Sequence, residues 1–188
     1  MEGQERRLAV LIDAENVSTK YIKVVLDEIS NYGIATYKRA YGDWSNPILK
    51  GWKEEVLKNS ITTMQTYSYT QGKNSTDSAM IIDAMDILYS GNVDGFCIVS
   101  SDSDFTRLAS RLREAGMLVV GMGEKKTVEA FRTSCTMFKY LEVLAADDES
   151  QSDISREDVE ETILKILIDN EANDHETTVG ELGNKLSN

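Results

Sequence analysis

Asp102 and Asp104 stand one residue apart in Cys97–Leu108, CIVSSDSDFTRL, directly after a short apolar run. Two carboxylates at that spacing repel each other unless a cation lies between them, and hard oxygen donors of this kind suit Mg²⁺ or Mn²⁺. The same letters also spell a helix start, because Ser and Asp are preferred N-cap residues. Acids elsewhere in the chain decide between these readings. Asp13 ends a second apolar run, Leu8–Ile12, with Asn16 three residues on, and Asp77 opens the helical pattern STDSAMIIDAMDILYSG. A divalent ion held by such carboxylates activates water and orients a phosphodiester without help from histidine. Asp13, Asp77 and Asp102 are the expected ligands, directly or through water, and Asp104 a ligand or water-orienting base. Asn16 reads either as a helix cap or as a holder of water or phosphate. Asp83 lies about 240° around the helix from Asp77, off its stripe, and ranks below the other four. Ser100 and Ser101 read as turn residues, since no base accompanies them.

Counting excludes other chemistries. The only histidine of the 188 residues, His175, falls in a polar C-terminal stretch, which rules out a Ser-His-Asp triad and a His-rich zinc centre. The two cysteines, Cys97 and Cys135, lack CxxC spacing and read as reduced structural thiols. No run approaches the ~18 apolar residues of a membrane span, and MEGQERR is no apolar leader, so a cytoplasmic address is expected. The net charge of −12 argues at first against a polyanionic partner. Its distribution removes that objection. Residues 1–144 hold 17 Lys and Arg against 19 Asp and Glu, whereas residues 145–188 hold 3 against 13, so the acidity belongs mostly to the tail.

The elements that must position these acids alternate. Strand patterns at Leu8–Ile12, Ile34–Tyr41, Ile61–Tyr67, Gly95–Val99, Met117–Gly121 and Met137–Val143 are separated by helical patterns at Ser18–Ser30, Ile48–Lys58, Ser75–Ser90, Ser103–Ala115 and a short one near Val128–Thr133. Such alternation indicates βαβ crossovers and a three-layer α/β, Rossmann-like domain over residues 1–144 with a mostly parallel central sheet. Ligands of such sheets bind at the carboxyl ends of the strands, where Asp13, Asp102 and Asp104 fall. Residues 145–155 lose apolar character and read as a linker. A short helical segment comes next, at 156–188, too small to be stable alone; it docks on a neighbour, a second copy or another protein, or stays unpacked.

With these pieces in order, residues 8–144 resemble an NYN domain of the LabA-like branch of the PIN-like nuclease fold. The resemblance rests on LAVLIDAENV, on YGDW at 41–44, on KNSTDSAMIIDAMDIL and on CIVSSDSDFTRL. It implies a central parallel sheet, an acidic Mg²⁺ or Mn²⁺ site and, in active members, RNA hydrolysis. The stretch DISREDVEETILKIL with TTVGELGNKL resembles the opening of a LOTUS-type winged helix, an RNA-associated module.

The sequence thus points to a metal-dependent endoribonuclease, with a catalytically silent RNA-binding scaffold as the alternative. A phosphatase fits less well, because no Asp-x-Asp follows the first strand. Lys38, Arg39, Lys73, Lys125 and Lys126 are expected in or beside loops, within reach of phosphates, although any one of them alone reads as solvated surface charge. Trp44 and Tyr69, in polar loops after strands, are candidates for stacking on bases of single-stranded RNA. Trp52 reads as core with Ile48, Leu49 and Val56 at helical spacing, and the methionines read as packing residues.

Overall fold

The computed structural model describes residues 5–67 and 75–152, together with Ile163, Leu164 and Ile168. The chain divides into two compact units, Met1–Ala145 and Ala146–Asn188, and the whole sheet lies within the first. Its strands are β1 (Arg7–Asp13), β2 (Ile34–Gly42), β3 (Thr62–Gln65), β4 (Gly95–Val99), β5 (Leu118–Gly123) and β6 (Met137–Tyr140). Between them run α1 (Ile22–Ser30), α2 (Trp52–Lys58), α3 (Ser75–Ser90), α4 (Thr106–Glu114) and α5 (Glu129–Ser134), and α6 (Leu141–Ser152) comes last. One six-stranded sheet in the order β3-β2-β1-β4-β5-β6 results, and every pairing in it is parallel rather than most of them.

Strand alternation builds the two core layers. Leu8, Val10 and Ile12 face one side of β1 and pack with Ile22, Val25 and Ile29 of α1, Trp52 of α2 and Leu141 of α6. Ala9 and Leu11 face the other side and pack with Met80, Ala84 and Ile87 of α3, Leu108 and Leu112 of α4 and Phe131 of α5. Both faces of β1 and β4 are therefore buried, which is why those strands are continuous apolar runs. Period two also sends Asp13 to the α3 and α4 side with Ala9 and Leu11.

Local details depart from the sequence pattern. The helix expected from Ser18 opens as a 3₁₀ turn, Thr19–Tyr21. Ile48 is 83% exposed, so the apolar face of the second helical segment is carried by Leu49 and Trp52 without it. The buried stripe of α3 is Thr76, Met80, Ala84 and Ile87, with Ile81 and Leu88 only partly covered. The last strand stops at Tyr140, and the stretch read as a linker from Ala145 stays helical through Ser152. Beyond residue 155 only Ile163, Leu164 and Ile168 are among the described residues, and these are helical; the rest of the helical segment expected there lies outside them. No helix among the described residues is long and apolar enough to cross a membrane.

Met80 is fully buried at the centre of the α3 contact. Met80→Ala should lower stability by about 2–5 kcal/mol. Urea denaturation checks this as a lower midpoint at unchanged slope.

Candidate acidic site at the switch point of the sheet

The strand order reverses direction between β1 and β4, the place where open parallel sheets leave a crevice at their carboxyl ends. Asp13 closes β1 there, and Ser100 follows β4 there. Asp13 is 1% exposed. Its Oδ1 accepts from the backbone N–H groups of Glu15 and Asn16, each at 3.2 Å. Its Oδ2 accepts from Asn16 Nδ2 at 2.9 Å and from Ser100 Oγ at 2.8 Å. Four donors match the roughly four lone-pair sites of a carboxylate. Burial nevertheless outweighs them and raises the Asp13 carboxyl above its ordinary range. Asn16 therefore does not cap a helix; its side chain holds Asp13.

Ser100 is fixed in turn. Its N–H donates to the Met122 carbonyl at 3.0 Å. At Gly123, the last residue of β5, an added Cβ would stand 2.6 Å from the Ser100 carbonyl oxygen, so only glycine permits this approach. Ser100 Oγ also accepts from the Asp102 N–H at 3.1 Å, and Ser101 Oγ from the Glu124 N–H at 2.9 Å.

Asp102 does cap the 3₁₀ turn Ser103–Phe105: its Oδ1 accepts from the Asp104 N–H at 2.9 Å. Capping engages one oxygen, so the two sequence readings are compatible. Asp102 is half-buried and Asp104 exposed at the open edge. Asp77 stands in the first turn of α3, also half-buried. Its carboxyl is pushed up to about 6, first by burial and then by the negative charges of Asp13, Asp102, Asp104 and Glu15. Acids from two stretches distant in sequence thus act on a carboxyl carried by a third. Glu15 is the member that pattern reading misses. Its Oε1 accepts from the Asp43 N–H at 3.1 Å, which fastens the turn after β2 to this edge. Among the described residues no three acids already form a group able to hold one ion.

Asp83 has a different environment from Asp77 on the same helix. It accepts from the Arg39 guanidinium and from the Tyr41 hydroxyl. Lys38 and Arg39 sit inside β2 rather than beside a loop. Arg39 is held by Asp83 and lies over the Tyr37 ring at 5.1 Å, and Lys38 Nζ donates to the Asn59 carbonyl. Trp44 Nε1 donates to the Met64 carbonyl at 3.0 Å, with its ring edge-on to Trp52 at 6.2 Å. Lys125 is exposed in the loop after β5, its backbone N–H bound to Glu142, and Lys126 pairs with Glu124 at 2.6 Å. Lys73 and Tyr69 lie outside the described residues.

A model of the NYN domain family matches residues 7–142. The chain belongs to the NYN family. That family has a PIN-like nuclease fold, in keeping with the parallel sheet and its acidic edge. The chain is 26% identical over 123 residues to the uncharacterized protein MJ0482 of Methanocaldococcus jannaschii. That match covers 63% of this chain and spans about half, 48%, of the relative. In three dimensions the NYN domain is similar to a protein of unknown function from Vibrio parahaemolyticus, with a TM-score of 0.62 at 17% identity. The overlap covers 74% of this chain and 95% of the other.

Folded Asp77 keeps its proton to about 6, while an unperturbed aspartate releases it near 3.8. The native state thus binds more protons between those values, and stability falls as pH rises through that window. Asp77→Asn should remove this slope and stabilise the protein at neutral pH by on the order of 1 kcal/mol, after discounting for solvent screening. Denaturant titrations of both proteins across the window check this, and equal slopes would contradict it.

Proposed function

We propose that this NYN domain is a metal-dependent endoribonuclease, related to the LabA-like branch, that hydrolyses RNA phosphodiester bonds at the edge formed by β1, β4 and the start of α3. The observation that carries this reading is the raised carboxyl of Asp77, pushed up first by burial and then by the gathered charges of Asp13, Asp102, Asp104 and Glu15. Nothing in ordinary folding requires unlike stretches to gather like charges. A site that gathers them is fitted to a cation, and an all-oxygen donor set selects Mg²⁺ or Mn²⁺.

Asp77, Asp102 and Asp104 would hold the ion. Asp13, with its acceptor positions filled by Glu15, Asn16 and Ser100, acts through the water shell, and Mg²⁺ usually keeps several of its waters. When bound, the ion supplies a lowered pKa for attacking water and offsets charge on the leaving oxygen. The protein's own residues do the positioning. Asn16 and Ser100 fix the Asp13 carboxylate, and the Asp102 cap sets the direction of the turn that presents Asp104. Asp104, exposed at the edge, orients the attacking water and takes its proton as the phosphorus–oxygen bond breaks. RNA is the expected substrate, single strands ahead of duplexes, with Lys73 and Lys125 supplying positive charge and Trp44 an aromatic wall; Arg39, expected from the sequence to join them, is taken up by Asp83. The segment 156–188 would open a LOTUS-like RNA-associated module or a protein-docking helix pair.

A second reading, a catalytically silent RNA-binding scaffold, is favoured by the absence among the described residues of three acids already grouped for one ion. Incubation of varied RNAs with Mn²⁺, Mg²⁺ or EDTA, beside Asp102→Asn, separates the two. The nuclease reading expects cleavage with either metal, none with EDTA, and at least a 100-fold loss in the variant, roughly the ~3 kcal/mol of one electrostatic contact to the reacting centre. Binding that survives both EDTA and the substitution, with no cleavage of any RNA, would leave only the scaffold.

A further inference from the structure

Beside the acidic edge lies a cavity of about 530 Å³ lined by Trp44, Leu49, Lys50, Lys53, Val56, Leu57 and Thr63. Its wall comes near one of the acids, Glu15, at Gly42, the last residue of β2. A Cβ built there would stand 2.7 Å from Leu49 Cδ1, which lines the cavity, and 3.5 Å from Glu15 Cγ. The turn between them is fastened at both ends. The Asp43 N–H donates to Glu15 at 3.1 Å, and the Trp44 N–H donates to Gln65 Oε1 at 3.2 Å. The Trp44 indole, tethered to the Met64 carbonyl and edge-on to Trp52, is a preformed wall.

We propose that this cavity is a nucleobase subsite for single-stranded RNA, in which an unpaired base lies against Trp44, Leu49 and Val56 while Lys50 and Lys53 hold the flanking phosphates. The inference rests on the reading of the acidic edge as an RNA site and adds where the strand is gripped. The chemistry of the lining selects this occupant. The floor is apolar, yet both lysines are exposed and neither forms an ion pair among the described residues. An apolar peptide would satisfy the floor and leave two cations idle; a stacked base joined to phosphates satisfies both. Leu57, 71% exposed at the rim, offers further apolar surface to cover. A duplex keeps its bases stacked inside and cannot fill such a cavity, so the subsite also discriminates between strands.

The chain's own fluorescence reads this place, because Trp44 lines the cavity and Trp52, the other of its two tryptophans, lies edge-on to it at 6.2 Å. The 188-residue protein is titrated in EDTA with a short oligouridylate and with a blunt RNA duplex of equal length. A saturable change with the single strand and little with the duplex is expected. Lys50→Gln with Lys53→Gln, both at exposed positions, should lower the slope of log K against log salt by about 1.4, equivalent to roughly 25-fold weaker binding at about 0.1 M salt. Unchanged affinity and slope in the lysine double variant overturns the subsite even if the wild type cleaves RNA. Failure of the wild type to cleave, with lysine-dependent quenching intact, removes the nuclease and leaves the subsite. Equal response to duplex, or a change with protein concentration alone that signals a second copy in the cavity, also overturns it.

Discussion

A carboxylate almost wholly withdrawn from water at the centre of a sheet is costly, and the arrangement around Asp13 exists to hold that charge. Its four hydrogen bonds come from three places: the turn that follows β1, the Asn16 side chain and Ser100 across the β1–β4 pair. Each donor depends on something further away. Ser100 is placed by β5, through the Met122 carbonyl and the bare backbone of Gly123. Ser100 then receives Asp102, whose cap turns the chain into α4. The parallel pairing of β1 with β4 at Ile12 and Val99 brings Asp13 beside Ser100, so the topology of the sheet and the satisfaction of one buried charge are a single requirement.

Helix α3 carries two inward-lying acids, and their surroundings differ in sign. Asp83 meets a cation and a hydroxyl, Arg39 and Tyr41, and fastens the helix to β2. Asp77, less than two turns earlier, lies instead in the field of four carboxylates. Had the sequence needed only to dock α3, one neutralised contact like that of Asp83 would have sufficed. The gathered negative charge is what the proposed divalent ion would balance.

Much of this is legible in the sequence because strand ends are marked locally. An apolar run that stops at Asp13, and another that stops at Ser-Ser-Asp-Ser-Asp, place acids at the carboxyl edge wherever the neighbours lie, and the helix pattern puts Asp77 at the start of its own. Partner choice is not legible. Nothing in Tyr-Lys-Arg-Ala-Tyr, residues 37–41, announces that Arg39 will be taken up by an aspartate 44 residues on, so a cation expected for phosphate is already engaged in the fold. Trp44 likewise reads as a loop residue because its ties to Met64 and Trp52 are long-range. Glu15 escapes notice because it follows the strand end by two residues and joins the site through Asp43. The run from Ala145 to Ser152 reads as a linker because it has helix-forming alanines and acids but no apolar stripe, and periodicity cannot detect a helix that lacks one.

Acids from separate stretches share one field at this edge, and the proposed divalent ion would relieve it. The titration of the Asp77 carboxyl, followed by carbon NMR in the 188-residue protein, tests this most directly. A midpoint near the value of about 6 is expected without metal. It should move down toward the ordinary range in Asp102→Asn, and further down on adding Mg²⁺. A midpoint near 3.8, indifferent to both the substitution and the ion, would contradict the account.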